Sequence, residues 1–171
     1  MTKKLKSIEL FAGAGGMALG FEEAGFEHIA LNEFNPNACK TLRTNRPEWN
    51  VLEGDIAQVK WSKFAKEKVD IVCGGFPCQP FSHSGKRLGL EDTRGTLFFE
   101  FARCVKETMP KIAVGENVKG LLKHDNGRTL QTMVNTLTEL GYNVRYKVLR
   151  AQYLEEKKKR ERLIIIGIRK D

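Results

Sequence analysis

The stretch GGFPCQPFSHSG, residues 74–85, sets Cys78 between Pro77 and Pro80, directly after an apolar run. A thiol packed as a small hydrophobe needs no such setting. A nucleophile does: it must stand at the end of a strand, on a stiffened turn, where a substrate reaches it. A second reactive group sits in GENVKG, where Glu116 ends another apolar run. A carboxylate at the end of an interior strand is costly unless it is paired or opens into a cleft. The alternative for Glu116 is a helix N-cap, which Asn117 would fill better. A thiol and an acid at neighbouring strand ends suit covalent catalysis with acid assistance.

The other strand ends carry the parts of a nucleotide-type pocket. FAGAGGMALG (11–20) places glycines between a strand and a helix, where backbone approaches a cofactor or simply packs tightly. Glu33 lies 20 positions beyond Gly13, the spacing of an acid that binds ribose hydroxyls in nucleotide-binding βαβ units. Phe34 beside it is either a face for an adenine ring or a core aromatic. Asp55, in EGDI, either accepts from an adenine amino group or faces solvent from a turn.

These groups must be positioned by an alternation of short apolar runs and helical periods. Strands are predicted at 5–11, 28–33, 49–55, 69–75, 111–118, 142–149 and 162–169, and helices at 15–25, 35–46, 95–109 and 127–141. Pro36 falls in a first helical turn and Gly25 closes a helix. Strands separated by helices need crossover connections. The fold class is therefore α/β: a mostly parallel sheet of about seven strands with helices on both faces. Ligands of such sheets bind at the C-terminal strand ends.

The chain of 171 residues suits one domain, 1–171, with 41% hydrophobic and 29% charged residues. Met1 to Lys6 is polar and basic with no apolar signal region after it, so the expected location is cytoplasmic. Cys39, Cys73, Cys78 and Cys104 form no CxxC pair, and no histidine stands at ligand spacing, so no metal site is expected and the thiols are read as free. The net charge of +8 favours a polyanionic partner. Lys157, Lys158, Lys159, Arg160 and Arg162 concentrate that charge, unless the run is only a solvated loop.

Taken in order, FAGAGG (11–16), GGFPCQPFS (74–82), DTRGTLFFE (92–100), ENV (116–118) and RER (160–162) resemble the cytosine-C5 DNA methyltransferase family over essentially the whole chain. The resemblance implies a Rossmann-like S-adenosylmethionine-dependent methyltransferase fold with S-adenosylmethionine as cofactor and double-stranded DNA as partner. Cys78 would add to C6 of cytosine, which makes C5 enamine-like and able to take a methyl group. Glu116, in its protonated form, would hydrogen-bond the N3 edge of the base, which asks for a water-poor pocket. The base is reached only when flipped out of the duplex.

For the cofactor, the family pattern implies Phe11, Gly13, Gly15 and Gly16 along the methionine part and Glu33 at the ribose. Phe34 and Ile56 would face the adenine, Asp55 its amino group, and Pro77 and Leu97 would pack nearby. Gln79, Ser82, Ser84 and Arg94 would serve a loop that closes on DNA, and Arg160 and Arg162 would orient the flipped nucleotide.

Two features depart from the pattern. Glu155, Glu156, Lys157 and Lys158 stand where the family usually has Gly-Val-Pro-Gln. The family also continues into a target-recognition domain and a last segment that completes the cofactor pocket. The expectation is a catalytic half whose second polypeptide supplies both. The alternatives are a non-catalytic cofactor-binding or partner-binding relative, and an RNA cytosine-C5 methyltransferase with the same chemistry.

Overall fold

A computed structural model of the chain describes residues 4–77, 97–153 and 159–171. Its strands are β1 (Leu5–Leu10), β2 (Phe26–Glu33), β3 (Val51–Glu53), β4 (Ile71–Gly74), β5 (Ile112–Val118), β6 (Tyr142–Arg150) and β7 (Glu161–Arg169). They form one sheet in the order β3-β2-β1-β4-β5-β7-β6, in which β7 runs antiparallel to both its neighbours. The helices are α1 (Gly16–Glu23), α2 (Pro36–Asn45), α3 (Leu97–Thr108) and α4 (Arg128–Glu139). Among the described residues no helix is long and apolar enough to cross a membrane.

Local sequence explains the element ends. The Asn35 side chain accepts from the Asn37 and Ala38 amides, at 2.9 and 3.2 Å, with Pro36 beginning α2 behind it. On one face of the sheet, α3 presents Phe98, Phe101, Cys104 and Val105, and α4 presents Leu130, Met133 and Leu137. These side chains share a core with Ile8, Leu10, Val72, Ala113, Leu163 and Ile165 of the strands. Each such side chain contributes roughly 1.5–3 kcal/mol on leaving water. On the other face a smaller cluster joins Ala18 of α1 and Leu42 of α2 to Leu31 and Trp49.

Two features were not legible in the chain's periodicity. The connection from β3 to β4 holds 3₁₀ segments at Ile56–Gln58 and Trp61–Glu67, with Trp61 fully buried. The second feature is an uncovered sheet face. Residues 163, 165 and 167 of β7 are buried under the helices, whereas Ile166 and Ile168 are 39% and 56% exposed on the opposite face. Their partners in β5 are Val114 and Ile112.

Glu9 is buried in the middle of β1, beside Cys73 in the β1–β4 register, and its Oε2 has no hydrogen-bond partner among the described residues. Burial pushes its carboxyl up to about 8 from an ordinary 4.5. The folded chain therefore holds this proton more tightly than the unfolded chain. Stability is fully present below pH 4.5 and is lost as the pH rises towards 8. Glu9→Gln stays neutral in both states and should gain on the order of 3 kcal/mol over the native chain at pH 7, at about 1.4 kcal/mol per pH unit. Urea midpoints at pH 5 and pH 8 check this: the gap between the two proteins should widen with pH, and parallel losses would refute it.

Candidate functional site

The glycine turn after β1 bends through left-handed backbone at Phe11 (φ 57°), Gly13 (φ 56°) and Gly15 (φ 90°). Its glycines do different things. A Cβ at Gly15 would lie 2.7 Å from Leu42 and 3.2 Å from Trp49, so this glycine lets α1 and the turn pack on α2. A Cβ at Gly13 or Gly16 would meet nothing within 4 Å, so the turn is open on that side.

Glu33, at the end of β2, ties the turn down: one carboxylate oxygen accepts from the Gly13 amide and the other from the Asn35 amide, both at 2.7 Å. Phe34 is 73% exposed, which rules out the core alternative. Asp55 ends the β3 turn. Its Oδ1 accepts from the Ala57 amide at 2.9 Å, capping the 3₁₀ segment that carries buried Ile56. It is thus both a capping residue and part of the site.

These strand ends enclose a cavity of about 370 Å³, lined by Phe11, Asn32, Glu33, Phe34, Asp55, Ile56, Pro77 and Leu97. The size is that of a small-molecule site. Asn32 is the residue sequence reasoning missed. It is buried, and its Nδ2 donates to the carbonyls of Leu52 and Gly54, joining the ends of β2 and β3. A polar side chain just before the strand-end acid was the available signal. Gly13, Gly15 and Gly16 do not line the cavity. A cavity of about 440 Å³ around Asp70, Lys111 and Arg169 lies at the other end of the parallel strands. One of about 460 Å³ lies beside β6 and β7, around Lys147, Tyr153 and Glu161.

Three consecutive residues of β5 meet the chain leaving β4. A Cβ at Gly115 would lie 2.9 Å from the Phe76 ring, and one at Gly75 would lie 3.1 Å from Glu116 Oε2. The Asn117 Nδ2 donates to the Phe76 carbonyl at 2.9 Å, and its Oδ1 accepts from the Val118 amide. Asn117 is therefore not a helix cap; it anchors the backbone two residues before Cys78. The non-local partner explains why sequence alone missed this.

Glu116 forms an ion pair that the sequence reading did not anticipate: Arg162 Nε lies 2.8 Å and Arg160 Nη2 4.0 Å from Oε1. The antiparallel β5–β7 register, with Glu116 opposite Ile164 and Val118 opposite Arg162, brings the two chains together. The Arg162 side chain is 30% exposed and engaged with Glu116; that of Arg160 is 60% exposed. Next to them Glu161 accepts from Lys119 at 2.8 Å and Arg150 at 3.0 Å, and the Lys119 ammonium holds its carboxyl below the usual range. Burial pushes the Cys73 and Cys104 thiols well up, so neither is a reactive thiol. Cys78, Gln79, Ser82, Ser84, Arg94 and Glu155, Glu156, Lys157 and Lys158 lie outside the described residues.

A family model described as C-5 cytosine-specific DNA methylase matches residues 5–171. The chain is 59% identical over 165 residues to the Type II methyltransferase M.Eco47II of Escherichia coli, covering 96% of this chain and 39% of that protein. It is 42% identical over 183 residues to the Type II methyltransferase M.AquIA of a Picosynechococcus strain, covering 99% of this chain and 73% of that protein. Among solved structures, a putative DNA modification methyltransferase from an E. coli prophage superposes with a TM-score of 0.80 at 27% identity, over 96% of this chain and 47% of that one. The chain thus spans about two-fifths of the length of M.Eco47II and about half of the prophage protein.

Proposed function

Because the chain belongs to the C-5 cytosine-specific DNA methylase family, we propose that it is the catalytic part of an enzyme that methylates C5 of cytosine in DNA, with S-adenosylmethionine as cofactor. The observation that carries this reading is the 370 Å³ cavity itself. Two carboxylates and an exposed aromatic ring line it, and so does Pro77, which precedes Cys78 in the sequence. The donor set fits the cofactor: Glu33 for ribose hydroxyls, Phe34 and Ile56 for the faces of adenine, and Asp55 for its amino group, with Pro77 and Leu97 packing beside them. Gly13 and Gly16 leave open backbone for the methionine part, whereas Gly15 serves packing. Bound there, the cofactor would supply an electrophilic methyl group on a sulfonium.

The chain's own residues do the rest. The Cys78 thiolate forms a bond to C6 of a flipped-out cytosine, and Glu116 in its protonated form holds N3 as electron density moves to C5. After C5 is methylated its proton leaves to a base, the electrons return to the ring and the sulfur–C6 bond breaks. Arg162 keeps the Glu116 carboxylate aligned until a base edge takes its place, when the carboxylate takes up a proton from solvent to become the N3 donor, and Arg160 meets the nucleotide's phosphates. Gln79, Ser82, Ser84 and Arg94 serve the DNA side.

Target recognition is assigned to polypeptide outside this domain, since M.Eco47II and the prophage protein extend well beyond the part that this chain spans. The exposed isoleucine face of β5 and β7 is an apolar surface of the kind that another segment covers. M.AquIA, of which this domain accounts for 73%, is a relative built mostly of it. Transfer of labelled methyl groups to mixed-sequence duplex DNA and to tRNA, with and without the product of a neighbouring gene, tests the reading. Labelled DNA supports it and labelled tRNA alone points to the RNA enzyme. Cofactor binding without transfer in any mixture points to the non-catalytic relative.

A further inference from the structure

Asp55 and Ile56 sit where the cavity wall leaves the edge of the sheet. β3 has three residues and one neighbour, β2, at the edge of the sheet. Past Glu53 the chain leaves the sheet through Gly54 (φ 125°) and makes one short 3₁₀ turn. A carboxylate that is to read an adenine amino group needs firmer backbone than that. Arg103, on α3, supplies it. Its Nη2 donates to the Ile56 carbonyl at 2.9 Å and its Nη1 to the Val59 carbonyl at 2.8 Å. Among the described residues it is the one side chain from outside the segment that hydrogen-bonds to residues 55–59.

The guanidinium is itself held. Glu100 accepts from Nε at 2.8 Å and Glu107 from Nη1 at 3.1 Å, one turn away on either side. Glu107 also accepts from the Ser62 amide at 2.8 Å, so α3 holds the start of the second 3₁₀ segment as well. Leu97, at the start of the same helix, lines the cavity. α3 therefore contacts the cavity directly at one end and fixes its opposite wall two turns on. Two backbone carbonyls and two carboxylates around one group require a planar fork with several donors, which arginine has and lysine lacks.

We propose that Arg103 is a positioning residue for adenine recognition: by clamping the Ile56 and Val59 carbonyls it holds Asp55 where the amino group of the base arrives. The proposal rests on the cofactor reading of the cavity. It makes Arg103 responsible for base discrimination without contact with substrate or reacting atoms.

The test compares binding of S-adenosylhomocysteine with that of its hypoxanthine analogue, which lacks the amino group, in the full chain. The native protein should prefer the adenine form. Arg103→Lys should weaken the adenine form on the order of tenfold, the scale of one charge-assisted hydrogen bond, and bring the two affinities towards equality. The cofactor KM should rise with it while kcat at saturating cofactor moves far less. Glu100→Gln, which loosens the guanidinium and leaves the helix packing in place, should shift the ratio in the same direction by less, and serves if Arg103→Lys does not fold. A native preference that survives in both variants overturns the role of Arg103. A native protein that binds both forms equally overturns this proposal and leaves the cofactor reading standing; one that binds neither form overturns the cofactor reading.

Discussion

Exchange of Cys78 for alanine is expected to lower methyl transfer by on the order of 10⁴-fold or more, while cofactor affinity stays within about twofold of the native value. The two halves of that result have separate causes. C5 of cytosine becomes nucleophilic only after a group adds at C6, so without the thiolate the route to the product is lost. The cavity, in contrast, is lined by residues of four strand ends and α3, and needs nothing from the sulfur. Cys39, Cys73 and Cys104 are buried and cannot substitute for it. Stopped assays with labelled cofactor and an equilibrium binding measurement read the two quantities independently. A variant that loses both would point to a collapsed site instead of a missing nucleophile.

Glu116→Gln should cost less, in the lower part of the roughly 10²–10⁴-fold range of one acid–base group. The amide keeps a donor for the N3 edge but has no acidic proton to offer as charge develops there. It also gives up the ion pair with Arg162, 2.8 Å away, so the guanidinium loses its anchor before the base arrives. Single-turnover rates with saturating DNA and cofactor isolate this step. A rate within about fivefold of native would show that the proton at N3 comes from elsewhere, and would leave Glu116 as a structural partner of Arg162.

The architecture was readable to a degree that the site was not. Most strands are short runs with apolar residues on a buried face, and helix ends among the described residues carry caps or breaks. Asn35 with Pro36 shows this at α2, as Phe98, Phe101 and Val105 do for the spacing of α3. Such signals are local, and connecting them by crossovers implies a mostly parallel sheet; the antiparallel entry of β7 between β5 and β6 was not among them. The β3–β4 connection was missed because 3₁₀ turns of this length carry no period, and the burial of Trp61 depends on α3. Residues that follow strands were legible as site candidates because the topology sends every parallel strand end to one rim.

What those residues touch was not legible. Asn32, Arg103 and Asn117 act through partners 20, 44 and 41 positions away, and no spacing rule reaches that far. The pairing of Glu116 with Arg162 comes from the antiparallel entry of β7. The family resemblance had assigned both residues to the flipped nucleotide, Glu116 to the N3 edge and Arg162 to its phosphates and base edge, without pairing them with each other.

The most direct measurement of the central claim uses duplex DNA in which cytosine carries fluorine at C5. Fluorine cannot leave as a cation as a proton does, so the methylated adduct has no route to elimination and the sulfur–C6 bond persists. Incubated with S-adenosylmethionine and the polypeptide that supplies target recognition, the native protein should form a denaturation-resistant complex with DNA, and peptide mass spectrometry should place the nucleotide on Cys78. Cys78→Ala should form none. Labelled product from ordinary DNA without any trapped complex, or a complex through another residue, would contradict the account.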